Sequence, residues 1–150
     1  MAPRSSDTSS KHREFSAGGV VVRDGEVIVI VPVRRDARGN RVLGLPKGHP
    51  DGSETPQQAA AREVREETRV TAELVGELGD IQYSYERRGR RIAKTVAFFL
   101  FEYRSGDVAD HDHEIEEAFW MPLAEAADAL SYEGEREVVA RALSQLRADR

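Results

Sequence analysis

The sequence predicts an α/β fold in which a mixed β-sheet is sandwiched between α-helices. Three observations predict it: short apolar segments separated by polar turns near the N-terminus, a well-capped amphipathic helix in the middle, and two further helices after a long apolar strand. A chain of 150 residues is long enough for one such domain to bury a core of useful size.

The first two predicted strands form a hairpin. Residues 15–23 are largely apolar, and Gly18 and Gly19 in this segment would allow another part of the backbone to approach closely. An Asp-Gly pair at 24–25 is a strong signal for a two-residue turn. Residues 26–33 should therefore return as the antiparallel partner strand.

Two predicted loops follow the hairpin. Residues 34–40 are polar, and the short apolar piece at 42–45 ends at Pro46, which has no N–H to donate to a sheet. Residues 47–54 contain two glycines and a proline, so we expect a loop there as well.

The clearest helix start in the chain follows that loop. Thr55 can act as the N-cap, Pro56 suits the first helical position, and Gln58 has the spacing of a capping box. The helix should run over residues 56–68. We expect its core-facing side chains to be Ala60, Ala61, Val64 and Thr68.

The second half of the predicted sheet lies between residues 71 and 103. Residues 71–85 have the composition of a β-strand that is interrupted at Gly76 and Gly79. Residues 86–91 form a glycine-containing hairpin tip that is rich in arginine. Residues 92–103 are apolar on both faces, which predicts a strand in the centre of the sheet.

The last third of the chain predicts one more strand and two helices. After a polar loop over 105–113, we expect a short strand over 117–121 and a helix from Pro122 to Leu130. Trp120 is expected in the core. A final amphipathic helix over about 134–148 would bury Val138, Val139, Ala142, Leu143 and Leu146.

Composition indicates a flexible N-terminal tail over residues 1–13 and a single domain over 14–150. No apolar run approaches the roughly 20 residues that cross a bilayer, and the polar N-terminus lacks the apolar block of a secretory signal. Without cysteine there is no disulfide, thiolate zinc site or cysteine nucleophile. A net charge of -5 argues against a stable nucleic-acid partner. We therefore expect a cytoplasmic enzyme or binding domain, as a monomer or homodimer.

Three carboxylates carry the chemistry that the sequence predicts. Glu63, Glu66 and Glu67 stand at i, i+3 and i+4, so they project from one face of the helix, which we expect to be exposed. Such like charges repel unless water screens them or a cation neutralises them. Mg²⁺ prefers oxygen ligands, so this face suits it. Arg62 could pair with Glu66 or reach back to Glu54.

The spacing around these glutamates resembles the Nudix box. Gly48 is followed after five residues by Glu54, and after seven more by the run Arg-Glu-Val-Arg-Glu-Glu at 62–67. The resemblance implies a Nudix fold along most of the chain. It also implies metal-dependent hydrolysis of a nucleoside diphosphate linked to another group. A non-catalytic nucleotide sensor on the same scaffold is the alternative of a different class.

The resemblance also implies roles for individual residues. Metal binding and water activation fall to Glu63, Glu66 and Glu67, and the main-chain carbonyl of Lys47 matches a further metal ligand. Arg62 matches the arginine that orients the glutamates, and Glu54 matches the acid that steadies the loop and helix. The implied cofactor is Mg²⁺, for which Mn²⁺ can substitute.

Arg69 departs from the family pattern, and Glu114 is an additional candidate site residue. The family usually has glycine where this chain has Arg69, and a left-handed turn there would cost a non-glycine residue about 1 kcal/mol. Several relatives place an extra metal-binding or base glutamate where this chain has Glu114. A mobile acidic loop is the competing interpretation of that residue.

The substrate is indicated by residues outside the box. The run Leu-Pro-Lys-Gly-His at 45–49 is similar to that of Nudix hydrolases of diadenosine polyphosphates, as are parts of 81–85 and 94–96. By this analogy a tyrosine would stack on adenine and basic groups would contact phosphate. The expected substrate-binding residues are Lys47, His49, Tyr83, Tyr85 and Lys94.

Diadenosine tetraphosphate is accordingly the first expected substrate. The tyrosines can equally be packing residues, and Lys94 can be an ordinary surface lysine. Related domains that cleave oxidised guanine triphosphates share parts of the pattern. A nucleoside triphosphate pyrophosphohydrolase is therefore the alternative enzyme.

Overall fold

The computed structural model describes residues 12–149 and confirms the α/β fold. Six strands and three helices are present in that part of the chain, with one 3₁₀ turn at Val108–Asp110. The strands are β1 Arg13–Arg23, β2 Glu26–Pro32, β3 Lys47–Gly48, β4 Thr71–Arg87, β5 Arg90–Ser105 and β6 Ile115–Pro122. The helices are α1 Pro56–Thr68, α2 Leu123–Ala129 and α3 Glu133–Ala148.

The strands form one mixed sheet in the order β4-β5-β1-β2-β6. The pairing of β1 with β5 is parallel, from Arg13 beside Ala93 to Val22 beside Glu102, and the other pairings are antiparallel. The short strand β3 pairs with β1 through Ala17 and Gly18. As predicted from its apolar faces, β5 lies inside the sheet rather than at its edge.

Helices cover both faces of the sheet, so the core has two parts. On one face α1 buries Ala60 and Val64 against β1 and β5, together with Phe101. On the other face α2 buries Leu123, and α3 buries Val138 and Val139, against the same strands. The predicted sandwich of helix, sheet and helix is confirmed.

The β1–β2 and β4–β5 hairpins form at the predicted positions. Asp24 and Gly25 have φ angles of 51° and 80°, and Arg88 and Gly89 have 54° and 77°. Two successive positive φ angles define a type I′ turn, whose twist matches that of the flanking strands. The Asp-Gly pair was therefore a sound predictor of the first hairpin.

Close approach of other elements explains the glycine pair in β1. A Cβ added to Gly18 would lie 2.6 Å from the main-chain oxygen of Pro46, and one added to Gly19 would lie 2.7 Å from Val64 Cγ2. The missing side chains let β3 and α1 pack directly on β1. This packing brings the N-terminal end of β3 and the middle of α1 to the same part of the sheet.

Helix α1 begins and ends as predicted. The Thr55 hydroxyl accepts the Gln58 N–H at 3.1 Å, and the Gln58 side chain accepts the Thr55 N–H at 2.9 Å. This capping box satisfies two N–H groups that the first turn leaves open. The predicted core residues are buried except for Ala61, which is half-buried, and Ala59 is an additional buried residue.

Some predictions differ from the structure. Residues 71–87 form one continuous strand, because Gly76 and Gly79 sit at bulges in its pairing with β5 rather than at breaks. Lys47–Gly48 forms a short strand where a loop was expected, because it pairs with β1. Trp120 is half-buried, edge-on to Tyr103, and the Arg23 guanidinium lies 4.1 Å from its ring centroid.

The predicted tail falls mostly outside the described residues. Its first eleven residues lie outside them, but Arg13 already belongs to β1, and His12 accepts the Ala93 N–H at 2.7 Å. Pairing with β5 therefore extends the ordered strand slightly further than the apolar pattern indicated. None of the helices within residues 12–149 has the length and apolarity to cross a membrane.

Arg69 ends α1 in the left-handed conformation that glycine usually adopts there. Its φ is 62°, and its N–H bonds to the carbonyl of Arg65 at 2.9 Å. The departure from the family pattern therefore leaves the turn intact, at a conformational cost of about 1 kcal/mol. Gly106 packs so closely that an added Cβ would lie 2.2 Å from the Arg69 carbonyl oxygen.

We expect Arg69→Gly to raise the melting temperature by about 2–4 °C, because it removes strain of about 1 kcal/mol. Gly106→Ala should lower it, since φ is 103° and the added methyl group would overlap the Arg69 carbonyl. Thermal unfolding followed by circular dichroism measures both. An Arg69→Gly protein that melts below the unaltered chain would contradict the strain argument.

Candidate active site

Arg62 is the centre of the polar network on α1. Its Nε and Nη2 atoms donate to the two Glu54 oxygens at 2.7 and 3.0 Å. Nη2 also donates to the main-chain carbonyl of His49 at 2.9 Å. Nη1 donates to Glu63 at 3.1 Å and to Glu66 at 3.0 Å. Arg62 therefore pairs with both Glu66 and Glu54, which the sequence had left as alternatives.

Glu54 fixes the loop that precedes the helix. One of its oxygens accepts the Asp51 N–H at 2.8 Å, in addition to the two bonds from Arg62. The hydrogen bonds from Arg62 are the main reason that the pKa of Glu54 is lowered. A fork of two charge-assisted bonds holds a carboxylate in one orientation. Glu54 thus links the start of α1 to the loop before it, and the role that the resemblance implies for it stays a prediction.

Glu63 lies against the backbone of β3. An added Cβ at Gly48 would be 2.2 Å from the Glu63 carboxylate, so only glycine leaves room for it. Burial raises the pKa of Glu63, while the charge of Arg62 opposes that rise. The glycine at the start of the motif is therefore explained by the space that this carboxylate needs.

Glu67 differs from the prediction of an exposed face. Its side chain is half-buried, and its Oε1 atom is buried without a hydrogen-bond partner among the described residues. Burial, and next the charge of Glu63, raise its pKa to about 8, although Lys47 acts in the opposite direction. Helical spacing alone could not reveal this, because the Lys47–Gly48 strand covers that side of α1. Glu66 is exposed as expected, at 55% of its side chain.

These features fit a divalent cation. A buried carboxylate oxygen without a partner, next to a second carboxylate with a raised pKa, is an arrangement that positive charge would stabilise. Hard cations such as Mg²⁺ take oxygen ligands of this type. Within residues 12–149, no three His, Asp or Glu side chains are already grouped as a metal-binding cluster, and Arg62 bonds to both Glu63 and Glu66.

The side chain of Lys47 is engaged with a residue that the sequence interpretation missed. Its ammonium donates to Glu135 Oε2 at 3.0 Å, and Glu135 Oε1 accepts the Leu45 N–H at 3.0 Å. Glu135 is only 1% exposed. The charge and hydrogen bond of Glu135 outweigh burial and raise the pKa of Lys47.

A signal for Glu135 was present in the sequence. It shares the core-facing side of α3 with Val138, Val139 and Ala142, which follow at i+3, i+4 and i+7. A carboxylate at such a position must be paired, because an isolated buried charge is too costly. The periodicity that predicts the core residues of α3 therefore also indicates that Glu135 is buried and paired.

Besides Lys47, three of the expected substrate-binding residues contact internal partners. His49 Nδ1 lies 2.9 Å from the carbonyl oxygen of Phe15. The Tyr85 hydroxyl donates to Glu14 at 2.5 Å, and the Lys94 ammonium lies 3.8 Å from the same carboxylate. Glu14, which the sequence interpretation did not single out, thus organises this part of the sheet.

Tyr83 has the most accessible ring of this group. It is 44% exposed and pairs with Lys94, which in turn pairs with Glu14, so the three form one row across β4, β5 and β1. The pKa of Tyr83 is raised by burial and then by Glu135, while Lys47 lowers it. The row therefore lies on the α3 side of the sheet, near Lys47.

An open cleft of about 480 Å³ surrounds this row. Its walls come from β1, β4 and β5, so the glutamates of α1 are not part of them. Lys47 is the residue electrostatically linked to both regions, since its charge acts on Tyr83 and on Glu67. The cleft lining consists of Arg13, Glu14, Gln82, Tyr83, Ser84, Ala93, Lys94 and Thr95.

Glu114 lies in the exposed loop before β6. Its main-chain carbonyl accepts the Val33 N–H at 3.0 Å, and the nearby Asp112 N–H bonds to the Glu67 carbonyl at 3.2 Å. These bonds hold the loop beside the end of α1. A metal-binding role for Glu114 stays a prediction.

A family model described as the NUDIX domain matches residues 12–142. The chain belongs to the Nudix family. The glutamates of the Nudix box lie on α1, and its first glycine lies on β3. A solved structure, a Nudix hydrolase from Nitrosomonas europaea, has the same fold, with a TM-score of 0.71 at 20% identity. The match covers 89% of this chain and 90% of that one.

Curated Nudix relatives include proteins with different names. MutT4 of Mycobacterium tuberculosis is 37% identical over 99% of this chain and 63% of its own length. The 8-oxo-(d)GTP phosphatase of Mycolicibacterium smegmatis is 35% identical over 93% of this chain and 45% of its own. The asymmetrical bis(5'-nucleosyl)-tetraphosphatase of Caenorhabditis elegans is 33% identical over 58% of this chain and 63% of its own. The chain thus spans about half to two thirds of these relatives.

The raised pKa of Glu67 makes the stability of the metal-free protein depend on pH. The folded state keeps the proton up to about pH 8, whereas an unfolded glutamate loses it near 4.5. The contribution of Glu67 to the free energy of unfolding is therefore greatest below pH 4.5. It falls as the pH rises to about 8. Glu67→Gln should remove that loss and raise the melting temperature at pH 8 in chelator.

Melting curves between pH 5 and 8.5, recorded in chelator, test this expectation. Glu125→Gln is the matched control, because it removes an exposed carboxylate on α2 and leaves the acidic residues of α1 unchanged. If Glu67→Gln and the unaltered chain lose stability in parallel across this range, Glu67 does not carry the proton.

Proposed function

We propose that the chain is a divalent-cation-dependent hydrolase of a pyrophosphate-type bond in a small-molecule nucleotide. The observation that carries the proposal is the buried Glu67 oxygen beside Glu63, which has no hydrogen-bond partner among the described residues, in a Nudix box that retains its glutamates. Mg²⁺ is the proposed cofactor, and Mn²⁺ should replace it. Glu63, Glu66, Glu67 and the main-chain carbonyl of Lys47 would hold the cation, with Glu114 as a further candidate.

The residues of the chain supply positioning for this reaction. Arg62 and Glu54 fix the helix against its preceding loop, so that Glu63 and Glu66 keep one orientation. When bound, the divalent cation supplies charge neutralisation at phosphate oxygens and acidification of water. Lys94 and the arginines of the β4–β5 hairpin add positive charge for a phosphate chain. Because phosphoryl transfer needs little covalent help from the protein, such positioning can account for most of the catalysis.

A non-catalytic nucleotide sensor is the alternative from another class. Such a protein would have no need to retain every carboxylate of the motif, and this chain has Glu63, Glu66 and Glu67. A buried carboxylate with a strongly raised pKa is also typical of catalytic sites. Both observations favour the enzyme.

Two substrate classes are supported by different observations. The run at 45–49 and the relative named bis(5'-nucleosyl)-tetraphosphatase support a dinucleoside polyphosphate such as diadenosine tetraphosphate. The relative named 8-oxo-(d)GTP phosphatase, which matches more of this chain, supports an oxidised guanine nucleoside triphosphate. Both contain a purine and at least three phosphates, which suits an exposed tyrosine ring near basic side chains.

We expect Glu66→Gln and Glu67→Gln each to lower turnover by about 100-fold or more, because each loses a carboxylate at the reacting phosphate. Hydrolysis should require Mg²⁺ or Mn²⁺ and stop with chelator. Glu125→Gln, an exposed change on α2, is the control and should keep full turnover. Either site variant retaining more than half of the activity would remove that glutamate from the mechanism.

A hydrolysis panel with product identification tests the function and ranks the substrates. The panel contains diadenosine tetraphosphate, nucleoside triphosphates including the oxidised guanine form, and ADP-ribose. Asymmetric cleavage of diadenosine tetraphosphate would support the first class, and release of a monophosphate and pyrophosphate from oxidised dGTP would support the second. Binding of these nucleotides without any hydrolysis would establish the sensor instead.

We expect Tyr83→Ala to raise KM for the purine substrate about tenfold with little change in kcat, because stacking on a ring contributes roughly 1–3 kcal/mol. Tyr83→Phe keeps the ring and should retain most of the affinity. The hydroxyl of Tyr85 is bonded to Glu14, so we expect Tyr85 to contribute less. Steady-state kinetics with an unchanged KM for Tyr83→Ala would assign the ring to packing.

A further inference from the structure

The carboxylate of Glu14 connects β1 to side chains of the edge strand β4. The Tyr85 hydroxyl donates to Glu14 Oε1 at 2.5 Å, and Arg87 Nη2 donates to Glu14 Oε2 at 2.6 Å. Strand β5 lies between β1 and β4, so both hydrogen bonds pass over a strand of the sheet. Glu14 therefore fixes two side chains that lie near the outer end of β4.

The tyrosine that Glu14 bonds is one of a pair. Tyr83 and Tyr85 are two positions apart on β4, so both rings stand on the same face of the sheet. Their centroids are 6.3 Å apart and their planes are inclined by 38°, which is a contact distance for aromatic rings. The Tyr85 ring thus contacts Tyr83, while its hydroxyl is held by Glu14.

The exposed Tyr83 ring needs such a neighbour if it is to keep one orientation. It is 44% exposed on a strand at the edge of the sheet. A side chain with so much open space can change its rotamer unless a neighbour restrains it. A ring that is already held in place loses less entropy when a planar ligand stacks on it, so restraint increases affinity.

The contacts of Glu14 favour this orienting role over a contribution to stability. The Arg87 side chain is 52% exposed, and ion pairs with exposed partners add little to the free energy of unfolding. A carboxylate whose two oxygens each accept a short, charge-assisted hydrogen bond is nevertheless fixed in direction. Its main effect is therefore on the direction of the side chains that it bonds.

We propose that Glu14 is a positioning residue for the nucleobase: by bonding Tyr85, it holds the Tyr83–Tyr85 ring pair as a preformed stacking surface. This inference rests on the proposed function, because it takes the ligand to be a purine nucleotide. Glu14 acts through the two rings and lies outside the Nudix box.

Binding of purine nucleotides in the absence of a cation tests the proposal. The probes are AMP, GMP and ribose 5-phosphate, which lacks the base, and each is titrated into the whole chain in chelator and followed by NMR. The dissociation constant of ribose 5-phosphate divided by that of AMP or GMP gives a base ratio. Because changes of charge near the phosphate act on both ligands, this ratio reports the contribution of the base.

We expect Glu14→Ala and Tyr85→Phe each to lower the base ratio about fivefold, because the base must then order a ring pair that is no longer restrained. The double variant should show the same loss and no further one, since both changes remove the same hydrogen bond. Glu14→Gln retains an oxygen that can accept from Tyr85, so its base ratio should stay near that of the unaltered chain.

Glu73→Ala is the matched control. It removes the carboxylate of another glutamate–arginine pair, Glu73 with Arg104, from the same strand but away from the lining of the cleft, so the base ratio should not change. Circular dichroism checks that each variant is folded.

An unchanged base ratio for Glu14→Ala, or losses that multiply in the double variant, would overturn the role of Glu14. If the unaltered chain binds AMP and GMP no more tightly than ribose 5-phosphate, the stacking surface is overturned and this inference with it. The proposed hydrolysis is decided separately by the substrate panel, in which the divalent cation is present.

Discussion

The guanidinium of Arg62 divides its donors among Glu54, Glu63, Glu66 and one main-chain carbonyl. A helix face that presents several carboxylates on adjacent turns is repulsive, and a single well-placed cation offsets most of that repulsion. Arg62 does not bond to Glu67, whose Oε1 atom is buried without a hydrogen-bond partner among the described residues. The site is therefore held together by one internal cation, which bonds to Glu63 and Glu66 and not to the buried Glu67.

Helix α3 not only covers the sheet but also contacts this site. Helix α3 places a buried carboxylate under the segment that carries Lys47, so both faces of the sheet reach the same short strand. Since β3 is only two residues long and pairs only with β1, its position depends on these lateral contacts. Helix α3 and the acidic face of α1 thus contact the same backbone segment, Lys47–Gly48.

Local features of the sequence predicted the local structure well. The capping box at Thr55 and the Asp-Gly turn each depend on neighbouring residues alone, and the structure contains both. The spacing of the Nudix box predicted the family. What escaped prediction depends on distant elements: the burial of Glu67, the Lys47–Glu135 pair and the bond of Tyr85 to Glu14. Glycines in β4 were ambiguous because bulges and strand ends use the same residue.

The parallel pairing of β1 with β5 joins segments that lie roughly 80 positions apart along the chain. A ribosome releases β1 long before β5, so the first strand has no neighbour on that side during most of synthesis. The β1–β2 hairpin can form early, but the pairing of β1 with β5 requires residues that are far apart along the chain. Because closing long loops is slow, formation of the β1–β5 pairing should be the rate-determining step of folding. Until it forms, the apolar strand β1 is open to chaperones on that side.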